Sequence, residues 1–252
     1  MDYFVDKDSI VREIWGKSDT ILLVFAGASA EFALNKAVDW LYFTGKLPND
    51  PLARLFTTVN YARAIVFSEN NAALKAIDKI NAIHGSVEKS RGHKIPDWAH
   101  KDVLFMLIGY SIKSFEILER PLMISEKQEV LDVFNKVGFR MGLRQLPHTY
   151  SEFEIQRHKH LSENLMNGDF TKDLYKQYRN HLGIVRYYLL LESQILLLPN
   201  TVRNMLKLRK ASFLAPLISI YKLFRSLSLD WMIKALLIPA AYKQDIKRMN
   251  MT

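Results

Sequence analysis

The stretch KINAIHGSVEK (residues 79–89) carries the spacing that decides the fold class. Read as a helix, one face carries residues three or four positions apart: Ile77, Ile80, His84 and Val87. A histidine in such an apolar line is either a core residue with a hydrogen-bond partner or a ligand. The spacing predicts a helix and raises a question of function at His84.

Helical spacing continues through nearly the whole sequence, and the alternation that is typical of strands is almost absent. The predicted helices cover residues 9–15, 20–44, 52–67, 71–90, 100–118, 125 to about 140, about 150 to 166, 175–198, and two segments after 201. We therefore predict an all-α protein, a single multi-helical domain over residues 1–252. Residues 1–14 form an N-terminal extension to it, and residues 201–252 form basic amphipathic C-terminal helices.

Side chains that accept hydrogen bonds from the first turn predict where several helices begin. The predicted caps are Asp8, Asp97, Thr149 or Ser151, and Ser125 with Gln128 as a capping box. These signals mark helix boundaries but do not divide the chain into domains. The sequence contains no internal repeat.

The composition excludes several kinds of site. Hydrophobic residues make up 49% and charged residues 24% of 252, which is typical of a globular chain. Because the sequence contains no cysteine, disulfides, zinc–thiolate sites, iron–sulfur clusters and cysteine nucleophiles are excluded. The same absence fits a reducing compartment. The N-terminus lacks the pattern of a secretory signal, and no uncharged apolar run is long enough to span a bilayer, so we expect a cytoplasmic protein.

Positive charge is concentrated near the C-terminus. The net charge is +9, and residues 201–252 hold ten Lys or Arg against two Asp. Apolar and aromatic residues alternate with these charges, which is typical of a surface that contacts anionic lipid. The alternative is a helix pair packed on the body with its lysines outward. Nucleic-acid binding is not expected, because no recognition motif accompanies the charge.

The seven histidines offer few sites for a metal held by protein ligands alone. A di-iron helical bundle needs Glu-x-x-His on two helices, whereas the sequence contains Asp97-x-x-His100 instead. His158 and His160 lie on different sides of a helix and are expected on a solvated face. A single axial histidine is enough for haem, because the porphyrin supplies the other four nitrogens. His84 therefore remains the candidate ligand, and Gly85 beside it leaves room for a macrocycle.

A second candidate lies in DPLARLFTT (residues 50–58), where Arg54 and Thr58 are four residues apart and share a helix face. In one interpretation Arg54 is exposed and Thr58 bonds to its own backbone. In the other, a guanidinium and a hydroxyl point into a pocket, where they hold an anion or polarise oxygen.

These stretches, taken in order, resemble the oxygenase family that includes latex-clearing protein (rubber oxygenase) and the mycophenolic-acid-pathway oxygenase MpaB. The resemblance covers roughly residues 15–210. It rests on DPLARLFTT with ARAIVFSEN, on INAIHGSVEK, on the stretch from PDWAHKDVLFMLIGYSIKSFEIL to RMGLRQLPHTYSEF, and on ILLLPNTVRNMLKLR.

The resemblance implies a haem-b (iron) oxygenase with a globin-like helical core, whose partners are dioxygen and a hydrophobic, prenyl- or lipid-like substrate. His84 would be the axial ligand to the iron, with Arg54 and Thr58 near the bound oxygen. Where rubber oxygenases carry a lysine that caps the iron, this sequence has Thr57, which implies an open distal position. Oxidative cleavage of a carbon–carbon double bond is the family's best-known chemistry.

Two points stay open at this stage. The resemblance implies a carboxylate base, for which Glu31 and Asp39 are both candidates. A non-catalytic helical protein that binds lipid or a protein partner through residues 201–252 is the alternative function.

Overall fold

The computed structural model of the protein describes residues 2–45 and 50–226, with the backbone alone for residues 51–56 and 226. In these ranges the chain forms eleven α-helices and a short 3₁₀ helix, and no strand. The helices are α1 Ile10–Gly16, α2 Ser18–Leu34, α3 Asp39–Phe43, α4 Pro51–Val66, α5 Asn70–Arg91, α6 Asp97–Leu118, α7 Ile124–Arg140, α8 Tyr150–Glu163, α9 Asp169–Leu197, α10 Asn200–Met205 and α11 Leu217–Ser226. The all-α prediction is confirmed.

The centre of the fold is α2, which packs against α6 on one side and α9 on another. Its buried residues lie around most of the helix circumference, as expected for a helix enclosed by others. Gly27 is required at the crossing with α6, because a Cβ atom there would lie 2.4 Å from the ring of Tyr110. The crossing therefore brings two helix backbones close together around an aromatic ring.

The prediction of one helix through Thr44 was wrong, because α2 ends at Leu34. Asn35 adopts an extended backbone, and its side-chain oxygen accepts a hydrogen bond from Ala37 N at 2.8 Å. Its Nδ2 atom donates to the buried carboxylate of Asp102 at 2.7 Å. A tertiary contact with α6 thus stabilises the break between α2 and the 3₁₀ helix Lys36–Val38.

Helix α9 begins at Asp169, earlier than predicted, and it contains a break. Gly183 has φ 72° and ψ 170°, which is not helical, so α9 consists of two helical segments on either side of this residue. The positive φ favours glycine over residues with a side chain.

The helix caps agree with the sequence in part. Thr149 Oγ1 accepts from Glu152 N at 3.2 Å, so this cap is confirmed. Ser9 caps α1 in place of the predicted Asp8. Helix α7 begins at Ile124, where Glu126 Oε2 accepts from Met123 N at 2.8 Å, so the predicted Ser125–Gln128 box was wrong.

Helix α11 turns polar atoms toward the body of the protein. Tyr221 and Arg225 both donate to Asp19 Oδ2, each at 2.9 Å, and Lys222 donates to the backbone oxygen of Glu119 at 3.2 Å. Residues 227–252, which hold the rest of the predicted C-terminal helices, lie outside the described residues. Within the described residues, no helix is both long and apolar enough to cross a membrane.

Candidate functional site

The candidate site is built on the hairpin of α4 and α5, two neighbouring helices that pack together. Only residues 67–69 connect the two helices, so the helices run antiparallel, and Lys79 Nζ lies 6.0 Å from the ring centroid of Tyr61 across them. Each helix rises 1.5 Å per residue. Residues before Tyr61 on α4 and residues after Lys79 on α5 therefore lie on the side of this contact that is away from the connection.

The predicted site residues lie on that side of the contact, away from the connection between the two helices. Thr57 is exposed and Thr58 is half-buried, both one turn before the contact on α4. His84 is half-buried and lies about one turn after the contact on α5. Arg54 lies on α4 one turn before Thr58, and its side chain lies outside the described residues.

His84 lies at the margin of the core. On the same face of α5, Ile77 is fully buried and Ile80 packs against the core, as the spacing predicted. His84 follows one turn later, where burial is only partial. The imidazole is therefore positioned by an anchored helix, while one side of the helix there remains open.

The helix surface beside His84 is open at Gly85. A Cβ atom at Gly85 would meet no other atom within 4 Å, so local packing does not require glycine. A glycine in a helix interior costs about 1 kcal/mol relative to alanine. The residue that follows His84 therefore leaves an open helix surface.

The ring of His84 contacts a second histidine, which the sequence analysis did not select. The ring centroids of His84 and His100 lie 4.8 Å apart with an interplanar angle of 41°. His100 stands in the first turn of α6. Burial lowers the pKa of His100, although the negative charges of Glu88 and Asp97 act to raise it. The five-residue connection between α5 and α6 is the sequence signal that brings His100 back beside α5.

The two candidate carboxylates have different surroundings. Glu31 is buried and accepts both guanidinium hydrogen bonds of Arg157 and a hydrogen bond from Tyr110 Oη at 2.9 Å. Burial alone would lower the pKa of Arg157. The charge and hydrogen bonds of Glu31 outweigh burial, so the pKa of Arg157 is raised. Asp39 is half-buried and accepts from Arg91 at 2.6 Å.

Arg91 links Asp39 to the helix of the candidate site. It lies seven residues after His84 on α5, hence on the same face two turns away. Its guanidinium stacks 4.1 Å from the ring centroid of Trp40. Asp39 is therefore linked by Arg91 to the helix that carries His84. Glu31 is instead bonded to Arg157 and Tyr110 in the core.

The expectation that His158 and His160 lie on a solvated face was correct for His158 and wrong for His160. His158 is exposed, but His160 contacts the buried carboxylate of Asp102. Asn164 also donates to Asp102, at 3.2 Å. This cluster joins the end of α8 to α6 and to Asn35 after α2, and its role is to hold these helices together.

In residues 2–45 and 50–226, no group of three or more His, Asp or Glu side chains could hold a metal ion. The donor set at the hairpin is a single imidazole with a second imidazole beside it. Such a set suits a metal that arrives with its own ligands, because a site made by protein alone needs three or four protein ligands.

Residues 16–226 match the family described as ER-bound oxygenase mpaB/B'/rubber oxygenase, catalytic domain. The protein therefore carries an all-α oxygenase catalytic domain. It belongs to this family of mpaB and rubber oxygenases, as its motifs predicted. Comparison with curated proteins and with solved structures gave no match.

Proposed function

We propose that the protein is a haem-b-dependent oxygenase that acts on a hydrophobic, prenyl- or lipid-like substrate. The observation that carries the proposal is the half-buried imidazole of His84 beside the open helix surface at Gly85. Membership in a family of oxygenase catalytic domains supports the reaction class.

The residues present fit a haem group. One imidazole is the only protein ligand that a haem iron requires, and the described residues offer no competing cluster of metal ligands. The open surface at Gly85 leaves space next to the ligand for the edge of a macrocycle.

In this proposal, His84 holds the iron and each other residue has a defined part. Arg54 provides a positive charge and Thr58 a hydroxyl donor for dioxygen or for an oxygen atom of the substrate. Thr57 lacks a nitrogen atom and would therefore not serve as a second ligand to the iron. When bound, haem b supplies the redox chemistry that activates dioxygen.

The proposed reaction is oxidative cleavage of a carbon–carbon double bond. The double bond and the bond of dioxygen break, and each former alkene carbon receives one oxygen atom as a carbonyl group. One alkene and one dioxygen thus give two carbonyl products, so the balance needs no additional reductant.

Absorption spectroscopy tests the proposal most directly. Protein expressed with a haem precursor should show a Soret band that shifts on reduction with dithionite, and His84→Ala should lose this band. His93→Ala is the matched control, because His93 is an exposed histidine in the loop that follows α5. A flat spectrum of the unmodified protein, or full haem occupancy in His84→Ala, would show that the proposal is wrong.

A second candidate function, contact with a membrane surface, is favoured by the outer face of α11. Leu217, Ile220 and Leu223 are 49%, 52% and 60% exposed, whereas Lys222 and Arg225 turn toward the body. The alternative given for residues 201–252 has its lysines outward, and of these Lys222 on α11 instead bonds to the backbone oxygen of Glu119. Such a face would let a cytoplasmic protein rest on a membrane and take up a lipid-like substrate. The alternative is a protein that binds lipid without catalysis.

Vesicle sedimentation tests this contact in the full chain. Ile220→Glu should reduce binding to vesicles that contain anionic phospholipid, since a charge replaces a residue of the apolar face. Ile155→Glu is the control, because Ile155 is 69% exposed on α8. Equal binding of both variants and the unmodified protein would exclude α11 as the contact.

A further inference from the structure

The contact between His84 and His100 is a tertiary contact between two helices. His84 lies in the second half of α5 and His100 in the first turn of α6. Their ring centroids are 4.8 Å apart, close enough that each ring restricts the rotation of the other. The terminal torsion of a histidine side chain is broad, so an isolated imidazole does not select one orientation.

The position of His100 is itself fixed by the connection between the helices. Glu88 Oε1 accepts a hydrogen bond from Ile95 N at 2.8 Å, which ties the loop before α6 to α5. Next to His100, Ala99 is buried, and its N–H donates to Pro96 O at 2.9 Å. The loop that leads into α6 is therefore tied to α5 directly before the turn that carries His100.

The distance between the two rings excludes one role for His100, that of a second ligand opposite His84. Two imidazoles on opposite sides of one metal ion are separated by two metal–nitrogen bonds of about 2.0 Å each plus two ring radii. That separation exceeds the observed 4.8 Å. The observed separation therefore excludes His100 as a second ligand opposite His84 on a haem iron.

We propose that His100 is a positioning residue for His84: its ring packs against the His84 imidazole and fixes the orientation in which that imidazole meets the iron. This inference rests on the proposed function and names a residue that acts through the ligand. Residues that orient a ligating histidine commonly change metal affinity by about 10–100-fold when they are replaced.

The test compares His100→Ala, His100→Phe and the control His93→Ala in haem-loaded protein. His100→Ala should release haem to apomyoglobin about 10–100-fold faster, as expected for loss of an orienting residue. Its ferric electron paramagnetic resonance spectrum should broaden, because several ligand orientations coexist. His100→Phe restores a packing ring and should return both readouts toward those of the unmodified protein.

Failure of this inference is distinguishable from failure of the proposed function. If His84→Ala loses haem but His100→Ala matches the unmodified protein in both readouts, His100 has no positioning role. The same conclusion follows if His100→Phe behaves like His100→Ala, since ring packing then has no effect. If His84→Ala retains haem, the proposed function itself fails. His100→Phe also keeps the test decisive if His100→Ala does not fold.

Discussion

At the scale of single residues, the ion pair of Glu31 with Arg157 depends most directly on both partners being present. Both side chains are buried, and Tyr110 completes the network through its hydroxyl group. A buried charge without its partner is far less stable than the intact pair. The pair joins α2 to α8, so a defect there disturbs the centre of the fold.

We expect Glu31→Gln to lower the free energy of unfolding by about 3–5 kcal/mol, because Arg157 would remain buried without a countercharge. Urea unfolding followed by circular dichroism measures this loss. Asp78→Asn is the control, since it breaks an exposed pair with Arg140 and should change the free energy of unfolding far less. Equal losses in the two variants would contradict the interpretation.

Gly85 and Gly27 predict opposite effects of the same substitution. Gly85→Ala should raise the free energy of unfolding of the cofactor-free protein by about 0.5–1 kcal/mol, because the new methyl meets nothing and favours the helix. Gly27→Ala should lower it by about 1–3 kcal/mol, because the methyl overlaps the ring of Tyr110. Both are measured by urea unfolding, and a destabilised Gly85→Ala would contradict the open surface.

The helix face that carries the candidate residues was readable from the sequence, but the surroundings of these residues were not. The line of Ile77, Ile80 and His84 predicted one helix face, because helical spacing is local. The contact with His100 and the core pairing of Glu31 depend on how distant helices cross. A sequence alone does not determine such crossings.

At the scale of elements, helix ends follow local chemistry except where a distant residue intervenes. Thr149 capped its helix as predicted, since the cap and its donor are three residues apart. The end of α2 was missed because Asn35 bonds to Asp102, 67 residues away. Local signals thus locate a helix, whereas tertiary contacts decide where it stops.

The start of α7 predicts a dependence on pH. Hydrogen bonds from Arg120, and then from Met123 N, lower the pKa of Glu126 from 4.5 to about 2. The stabilisation by Glu126 is therefore complete above pH 4.5 and is lost as the pH falls toward 2. Glu126→Gln should destabilise the protein at neutral pH by roughly the 0.5–2 kcal/mol of a helix cap.

Unfolding of both proteins across this pH range measures the effect. The difference in free energy between the unmodified protein and Glu126→Gln should be constant above about pH 5 and shrink below pH 4.5. A difference that does not change between pH 7 and pH 3 would contradict the assigned role.

At the scale of the whole molecule, α11 is attached to the core through charge. Arg225 bonds to Asp19 of α2, and its second nitrogen pairs with Glu119 at 2.6 Å. Burial alone would lower the pKa of Arg225, but these carboxylates raise it. The attachment depends on the position of Asp19 near the start of the central helix.

We expect Asp19→Asn to loosen α11, because Arg225 and Tyr221 lose a charged acceptor. A hydrogen bond to a charged group contributes about 1.5–3 kcal/mol, so amide exchange in Leu217–Ser226 should accelerate about ten-fold or more. Hydrogen exchange with mass spectrometry reads this out, with α5 as an internal reference. Unchanged exchange in α11 would show that the helix is held by other contacts.

The central position of α2 has a consequence for synthesis of the chain. This apolar helix leaves the ribosome early, while α9, one of its two main partners, begins about 135 residues after α2 ends. At about 5–20 residues per second, α2 waits on the order of ten seconds for that partner. We therefore expect the nascent chain to depend on chaperones until α9 has emerged and enclosed the helix.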